Sequence, residues 1–195
     1  MENEKSETLK TQLMLQLNFA PFPELETNRL ILRRMKLADA PEIFFFRSDE
    51  TVMKFIGREP VKIISEAEEF IEKIESGINS NNTIMWGIVL KESPGKLIGT
   101  ICYWNIQMEN YRAEIGFLLH PNYWGKGIMK EAINKILEYG FNVMKLHSIE
   151  GRTHVNNIAS ASVLESTGFL KEGHLKEEFY FRGKFLDSVI YSRLQ

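Results

Sequence analysis

The segment at residues 113–129 decides the fold, and it reads Ala113-Glu114-Ile115-Gly116-Phe117-Leu118-Leu119-His120-Pro121-Asn122-Tyr123-Trp124-Gly125-Lys126-Gly127-Ile128-Met129. The β-branched and aromatic residues at its start predict a strand over Arg112 to Leu119. Gly125 and Gly127 then form a turn that leads into a helix. Glycines lack side chains, so their backbone can approach a ligand closely, and the first amides of a helix carry partial positive charge. The segment therefore favours a site for a phosphate or a pyrophosphate.

Two familiar glycine loops of nucleotide-binding proteins do not match this segment. A dinucleotide-binding loop needs a third glycine in the pattern G-x-G-x-x-G, where this chain has Lys130. A P-loop needs Ser or Thr after Gly-Lys, where this chain has Gly127. An ordinary glycine turn before a helix explains the spacing as well as a phosphate site does, so both interpretations stay open on spacing alone.

The neighbouring segments predict a mixed sheet. Apolar spacing over Ile128 to Phe141 is typical of a helix with one buried stripe, and Ser148 to Val155 follows as another strand. The strands on either side of this helix should be parallel, because such a crossover returns the chain in the same direction. Upstream, Trp86–Leu90 and Leu97–Trp104 predict two further strands of an antiparallel meander. We expect an α/β (α+β) domain with antiparallel and parallel parts.

The remaining segments complete one domain. Residues 1–24 are expected to form an N-terminal tail or short helix, and residues 25–195 the folded domain. Its first strand is predicted over Leu25–Met35, and Asp39 and Ser65 are the expected N-caps of two helices that follow. Gly140 is expected near the end of the long helix. A short helix should follow Asn157 and stop at Gly168, and two extended segments are predicted at Phe169–Phe181 and Asp187–Leu194.

Composition excludes several classes of protein. The chain has 195 residues, of which 44% are hydrophobic and 26% charged, so it can bury a core and is not disordered throughout. A net charge of −2 argues against a broad surface for nucleic acid. The longest apolar runs fall far short of a membrane span. One cysteine, Cys102, and four scattered histidines favour a reducing, cytoplasmic setting and leave no ligand set for a metal.

The segment that decides the fold resembles motif A of the GNAT acyl-CoA N-acetyltransferases. In that family a loop written Gln/Arg-x-x-Gly-x-Gly/Ala holds the coenzyme A pyrophosphate, and the matching residues here are Asn122 to Gly127, with Asn122 in place of Gln or Arg. Further matches occur in order along the chain and resemble the ribosomal-protein N-terminal acetyltransferase branch. They are Thr27-Asn28-Arg29-Leu30-Ile31-Leu32-Arg33, Ala113-Glu114-Ile115-Gly116, Tyr123-Trp124-Gly125-Lys126-Gly127, Asn157-Ile158-Ala159-Ser160, Leu164-Glu165 and Gly168-Phe169.

The resemblance implies a GNAT fold, in which the central parallel strands, the fourth and fifth of the family core, splay apart and helices flank the sheet. The pantetheine arm of acetyl-CoA would lie in the gap between these strands. The implied coenzyme-binding residues are Leu118 and Leu119 through their backbone, Trp124, Gly125, Lys126, Gly127, Ile128 and Met129 around the pyrophosphate, and Asn157 and Ser160 beside the coenzyme.

Glu114 is the candidate catalytic residue. Strand alternation places it on the same face as Gly116 and Leu118, and the glycine is expected to leave open space over the sheet. A primary amine must lose a proton before it attacks a thioester, and a carboxylate can accept that proton directly or through water. The corresponding Ala-Glu-Ile segment of some GNAT enzymes carries the general base. The alternative is an exposed glutamate that pairs with Arg112.

Asn157 and Ser160 also have a purely structural interpretation. Asn157 is expected to cap the following helix by accepting a hydrogen bond from an amide near Ser160. Many GNAT enzymes have a tyrosine one turn further on as the acid that protonates the leaving thiolate, whereas this chain has Leu164. The general acid is therefore unassigned.

These observations predict an acetyl-CoA-dependent N-acetyltransferase in which a primary amine attacks the thioester directly. The acceptor is either a protein N-terminal α-amine or a small amine such as a polyamine, and no metal is expected. The alternative from another functional class is a noncatalytic module of the same fold that binds or senses acyl-CoA. The sequence leaves open whether the protein is a monomer or a homodimer.

Overall fold

The structure, a computed structural model, describes residues 15–195. Its strands are β1 (Leu25–Glu26), β2 (Leu30–Arg33), β3 (Ile84–Leu90), β4 (Ser93–Gln107), β5 (Arg112–Leu119), β6 (Ser148–His154), β7 (Leu170–Phe181) and β8 (Lys184–Leu194). Its α-helices are α1 (Ala40–Ser48), α2 (Glu50–Met53), α3 (Ile64–Asn79), α4 (Ile128–Asn142) and α5 (Ile158–Ser166). No helix in this part of the chain is long and apolar enough to cross a membrane.

The strands of residues 15–195 form one mixed sheet in the order β1-β2-β3-β4-β5-β6-β8-β7. β5 and β6 pair in parallel, and every other neighbouring pair is antiparallel. The helix α4 connects the parallel pair. The predictions of a meander, a parallel crossover and a mixed sheet are therefore confirmed, because each rests on a pattern within one continuous segment.

Helices cover both faces of the sheet. On one face, α4 buries Ile133 and Ile136 against a core that includes Trp86 and Ile115. On the other face, residues of α1 and α3 pack with Val89 of β3 and with other strand residues. This two-sided burial explains why the central strands are almost continuously apolar.

Asp39 stands at the N-cap position of α1 as expected, but neither Asp39 nor Ser65 makes the expected capping hydrogen bond. Asp39 makes no capping bond, because its carboxylate accepts hydrogen bonds from Arg33 Nη1 and Nη2 at 2.8 and 2.7 Å and from the amide of Lys36 at 2.8 Å. A buried bidentate pair of this kind is stronger than a neutral cap. Ser65 lies inside the first turn of α3, and Glu66 instead accepts from the amides of Lys62 and Ile63.

The segment before β1 packs against the core. Leu15 and Phe19 are buried in the same cluster as Trp86, and the indole of Trp86 donates to the carbonyl of Pro23 at 2.7 Å. The domain boundary at Leu25 stays a prediction. The part of the expected tail that comprises residues 1–14 lies outside the described residues.

Gly140 lies near the end of α4, as expected, and it also allows close packing there. The hydroxyl of the fully buried Tyr103 donates to the carbonyl of Ile136 at 2.7 Å. A methyl group on Gly140 would lie 2.6 Å from that hydroxyl oxygen. The glycine therefore lets β4 bond directly to the backbone of α4.

We expect Gly140→Ala to lower the free energy of unfolding by about 1–2 kcal/mol. Alanine gains about 1 kcal/mol of helix propensity over glycine, but overpacking costs about 1–3 kcal/mol and outweighs it. In a Tyr103→Phe background the same substitution should cost less, because the hydroxyl oxygen is gone. Urea denaturation of the double-mutant cycle measures the coupling.

Gly173→Ala is the matched control, since a methyl there would contact nothing within 4 Å. Its free energy of unfolding should stay within about 0.5 kcal/mol of the wild type. Strict additivity of Gly140→Ala and Tyr103→Phe would show that the hydroxyl does not require the glycine.

Candidate functional site

The parallel strands β5 and β6 separate halfway along β5. Their pairing runs from Arg112 opposite Ser148 to Ile115 opposite Gly151 and then stops. β6 continues to His154 in its pairing with β8, and β5 continues to Leu119 in its pairing with β4. The result is a gap beside the second half of β5.

The register shows which backbone groups of β5 face this gap. The amide of His120 donates to the carbonyl of Ile98 at 2.9 Å, and bonded pairs recur at every second residue of an antiparallel ladder. Leu118, opposite Thr100, therefore directs its backbone toward β4. Phe117 and Leu119 direct theirs into the gap. The sequence did not identify Phe117. Which residues of a strand direct their backbone groups to one side depends on the register with the neighbouring strand, and the strand's own residues do not reveal it.

A loop with two left-handed glycines connects the end of β5 to α4. Gly125 has φ +72° and Gly127 has φ +73°, and a methyl on Gly125 would meet nothing within 4 Å. Gly127 precedes α4 without a side-chain cap, so the amides of Ile128, Met129 and the next residue have no partner from a capping side chain. The side chains of Ile128 and Met129 are buried, which leaves only their backbone for a ligand.

Two side chains of the loop fold back onto its neighbours. The indole nitrogen of Trp124 donates to the carbonyl of Leu119 at 2.7 Å, although the residue is 48% exposed. The Lys126 ammonium lies 5.6 Å from the ring centroid of Tyr123. The Trp124 indole therefore already donates to one of the backbone carbonyls that face the gap.

Asn157 caps α5, as its structural interpretation predicts. Its Oδ1 accepts from the amide of Ser160 at 3.2 Å. The Nδ2 group of Asn157 makes no hydrogen bond to a described residue and can donate to a ligand.

Leu164 is fully buried, and a methyl on Gly151 would lie 3.0 Å from it. Leu164 thus packs in the core, and the general acid stays unassigned.

Glu114 is buried at the closed end of the gap. Its residue is 8% exposed, and it lies on β5 next to Ile115, the last residue paired with β6. Burial raises the pKa of the carboxyl above its usual value, a shift that the positive charge of Arg152 and a hydrogen bond from Asn105 oppose. The expected alternative, an exposed glutamate paired with Arg112, is wrong. A carboxylate with raised pKa in a protected site is suited to accept protons.

A second buried carboxylate, Glu150, lies directly opposite Glu114 in the parallel register. It forms ion pairs with Arg112 and Arg152, and Arg152 also pairs with Glu178 of β7. Sequence reasoning missed this cluster. The alternation of Arg112 with Glu114 and of Glu150 with Arg152 is visible in the sequence, but only the register of β5 and β6 brings the two pairs together.

A cavity of about 100 Å³ opens at this cluster. Its lining is polar and comprises Asn105, Gln107, Arg112, Ala113, Glu114, Glu150 and Arg152. Gly116 does not open the space that the sequence suggested, because a methyl there would lie 3.0 Å from Cys102 Sγ and 3.7 Å from the Trp104 ring. The room for a ligand lies beside Glu114 instead.

Other reactive side chains have structural roles. Cys102 is buried, which raises the pKa of its thiol to about 12 and makes it unreactive. His120 Nδ1 accepts from the amide of Asn122 at 3.2 Å, and its ring stacks on Phe45. Within residues 15–195, no three His, Cys, Asp or Glu side chains form a group that could hold a metal ion.

Comparison with known proteins assigns the family. A family model described as the acetyltransferase (GNAT) domain matches residues 29–170. The chain is 36% identical over 171 residues to the uncharacterized N-acetyltransferase p20 of Bacillus licheniformis, an alignment that covers 88% of this chain and 96% of p20.

Solved structures show the same fold. Spermidine N-acetyltransferase from Vibrio cholerae, solved in complex with CoA and spermine, superposes with a TM-score of 0.76 at 28% identity and covers 87% of this chain and 97% of that chain. Ribosomal-protein-S5-alanine acetyltransferase from Vibrio fischeri superposes with a TM-score of 0.76 at 27% identity and covers 88% and 96%. The overall fold is thus shared with these proteins, and the chain belongs to the GNAT family of N-acetyltransferase enzymes.

Proposed function

We propose that this protein transfers the acetyl group of acetyl-CoA to a primary amine by direct attack, with Glu114 as the general base. The observation that carries the proposal is the position of Glu114 at the closed end of the gap. A ligand anchored at the glycine loop and extended along β5 from Leu119 to Ile115 covers about 13 Å and ends beside Glu114. The far end of such a ligand is where a thioester would be placed.

The residues around the gap fit this substrate. The uncapped amides at Gly125 to Met129 would bind the diphosphate, with Trp124 and Lys126 at its side. The gap-facing backbone of Phe117 and the amide of Leu119 would pair with the amide groups of the pantetheine arm, as a neighbouring strand would. On the opposite side of the gap, Asn157 can donate through Nδ2, and Ser160 lies one turn into the same helix. Leu118 would contribute through its side chain, which packs toward α1 and α3.

The chain's own part in the chemistry is proton removal. Acetyl-CoA would supply the acetyl group as an activated thioester. Glu114 would take a proton from the ammonium form of the acceptor, directly or through a water in the cavity, so that the nitrogen lone pair can form the C–N bond while the C–S bond breaks. The sulfur leaves with the bonding electrons, and an ordinary thiol pKa near 8.5 lets it leave with little help from an acid. The nitrogen gives up its second proton as the C–S bond breaks, and the thiolate takes up a proton from water to end as the free thiol.

The acceptor side of the site favours a cationic amine. Glu114, Glu150 and Glu178 outnumber Arg112 and Arg152 by one charge when all five are ionised. The cluster then has a net negative charge, which attracts an ammonium group. Both a polyamine and a protein N-terminus carry such a group, in line with the names of the two solved relatives.

Replacement of the proposed base tests the mechanism. We expect Glu114→Gln to lower kcat by at least about 100-fold, the usual contribution of general base catalysis, with little change in the Kd for CoA. Because burial raises the pKa of Glu114, the acidic limb of the wild-type kcat/KM profile should lie above the range of an ordinary glutamate. Steady-state kinetics between pH 5 and 9 and calorimetric titration with CoA provide both measurements.

Glu138→Gln on the exposed side of α4 is the matched control, since Glu138 pairs with Lys135 on the same helix. It should leave kcat and Kd unchanged. Wild-type kcat in Glu114→Gln would remove Glu114 from the mechanism.

Glu114→Gln should also change the thermal stability, and this change should depend on pH. A carboxyl whose pKa is raised on folding contributes stability below its ordinary pKa of 4.5, and that contribution is lost as pH rises through the raised value. Gln does not titrate, so the Tm of Glu114→Gln minus that of the wild type should increase between pH 4.5 and pH 7.5. Calorimetric scans at several pH values test this sign, and a constant or shrinking difference would contradict the raised pKa.

A panel of acceptors tests the substrate. We expect thiol release from acetyl-CoA with polyamines or with peptides that carry a free N-terminal amine, and no release with their N-acetylated forms. CoA binding without release for any amine would instead favour the noncatalytic module that senses acyl-CoA.

A further inference from the structure

The turn between β1 and β2 is bonded to the start of α4. Glu131, in the first turn of α4, accepts from Thr27 Oγ1 at 2.5 Å, from the amide of Arg29 at 3.0 Å and from Arg29 Nε at 2.6 Å. Thr27 Oγ1 in turn accepts from the amide of Leu30. These contacts join residues about 100 positions apart in the sequence and account for the Thr27-Asn28-Arg29-Leu30 motif, which the proposed function leaves unused.

Arg29 also bonds to the glycine loop itself. Its Nη1 donates to the carbonyl of Lys126 at 3.0 Å, and its Nη2 lies 3.6 Å from where a methyl on Gly127 would be. A trans peptide directs its N–H opposite to its C=O. By holding the Lys126 carbonyl on one side, Arg29 therefore turns the amide of Gly127 toward the other.

The charge of Glu131 needs a partner at this position. Burial raises the pKa of Glu131, but the hydrogen bonds from Thr27 and Arg29 outweigh it and hold the pKa below its usual value, so the residue is ionised at neutral pH. An unpaired carboxylate in the first turn of α4 would repel a diphosphate bound to the same amides. Arg29 neutralises it.

Stability alone does not explain the arrangement. Arg29 has a side chain that is 48% exposed, and ion pairs of this exposure contribute little to folding stability. The geometry instead supports preorganisation, since two donors of one planar guanidinium are directed at two acceptors on adjoining segments.

We propose that Arg29 and Glu131 are positioning residues that lock the glycine loop in the conformation required for the diphosphate of acetyl-CoA. This inference rests on the proposed function, because it takes the loop as the diphosphate site. Neither residue needs to touch the reacting atoms. Their effect should fall on coenzyme binding and leave the chemical step unchanged.

Calorimetric titration with CoA tests the proposal without knowledge of the acceptor. We expect Arg29→Ala to raise the Kd for CoA by about tenfold, the size of one lost charge-assisted hydrogen bond, with a Tm close to that of the wild type. Arg29→Lys should show nearly the same loss, because an ammonium keeps the charge but not the fork that reaches both acceptors.

Arg34→Ala is the matched control, since Arg34 pairs with Glu75 on α3, away from the loop, and its Kd should be that of the wild type.

A second measurement separates loop positioning from damage to the fold. S-acetylpantetheine carries the thioester but no diphosphate, so Arg29→Ala should lower kcat/KM with acetyl-CoA and leave kcat/KM with S-acetylpantetheine unchanged. If Arg29→Ala does not fold, Arg29→Lys takes its place in this comparison, with the same expected difference between the two thioesters.

The outcomes distinguish this inference from the proposed function. A wild-type Kd in Arg29→Lys would show that charge alone matters and would overturn the positioning role. A wild-type Kd in Arg29→Ala, or an equal loss in Arg34→Ala, would also overturn it. Failure of the wild-type protein to bind CoA would reject the proposed coenzyme site itself.

Discussion

The site depends on one interruption of a hydrogen-bonded ladder, the end of β5–β6 pairing at Ile115 opposite Gly151. Backbone donors and acceptors inside a protein normally have partners, so an unpaired strand edge in the middle of a sheet is costly unless another group bonds to it. The fold keeps both strands in place by pairing each with its other neighbour, β4 or β8. A gap then remains beside the second half of β5, where we propose that the pantetheine arm binds.

The parallel crossover determines what lies at the two ends of this gap. Because α4 returns the chain from β5 to β6, its N-terminus and the glycine loop lie at the open end. The closed end is where the register aligns Glu114 with Glu150 and where Arg112 and Arg152 pair with Glu150. One topological feature therefore separates the proposed diphosphate site from the proposed general base, and it does so on a single strand.

Local features of the site could be predicted from the sequence, whereas features that depend on register could not. Gly125, Gly127 and the apolar spacing of α4 lie in one continuous segment, and the N-cap at Asn157 needs only three residues. The capping bond expected from Asp39 is absent because Arg33, six positions earlier on β2, binds its carboxylate. The carboxylate cluster includes a contact between residues 26 positions apart, Arg152 and Glu178. The contact between the β1–β2 turn and α4 joins residues about 100 positions apart. A single sequence does not show which distant residues meet.

The bond from the Trp124 indole to the Leu119 carbonyl has a consequence for solubility. An open strand edge is a template for pairing with another chain, and proteins suppress this by covering or shortening such edges. The indole covers the last gap-facing carbonyl of β5, so the exposed ladder is reduced to the backbone of Phe117 and one amide. A strand of another protein chain would find too few free backbone groups here to dock. The same groups suffice for a flexible ligand whose other end is anchored at the glycine loop.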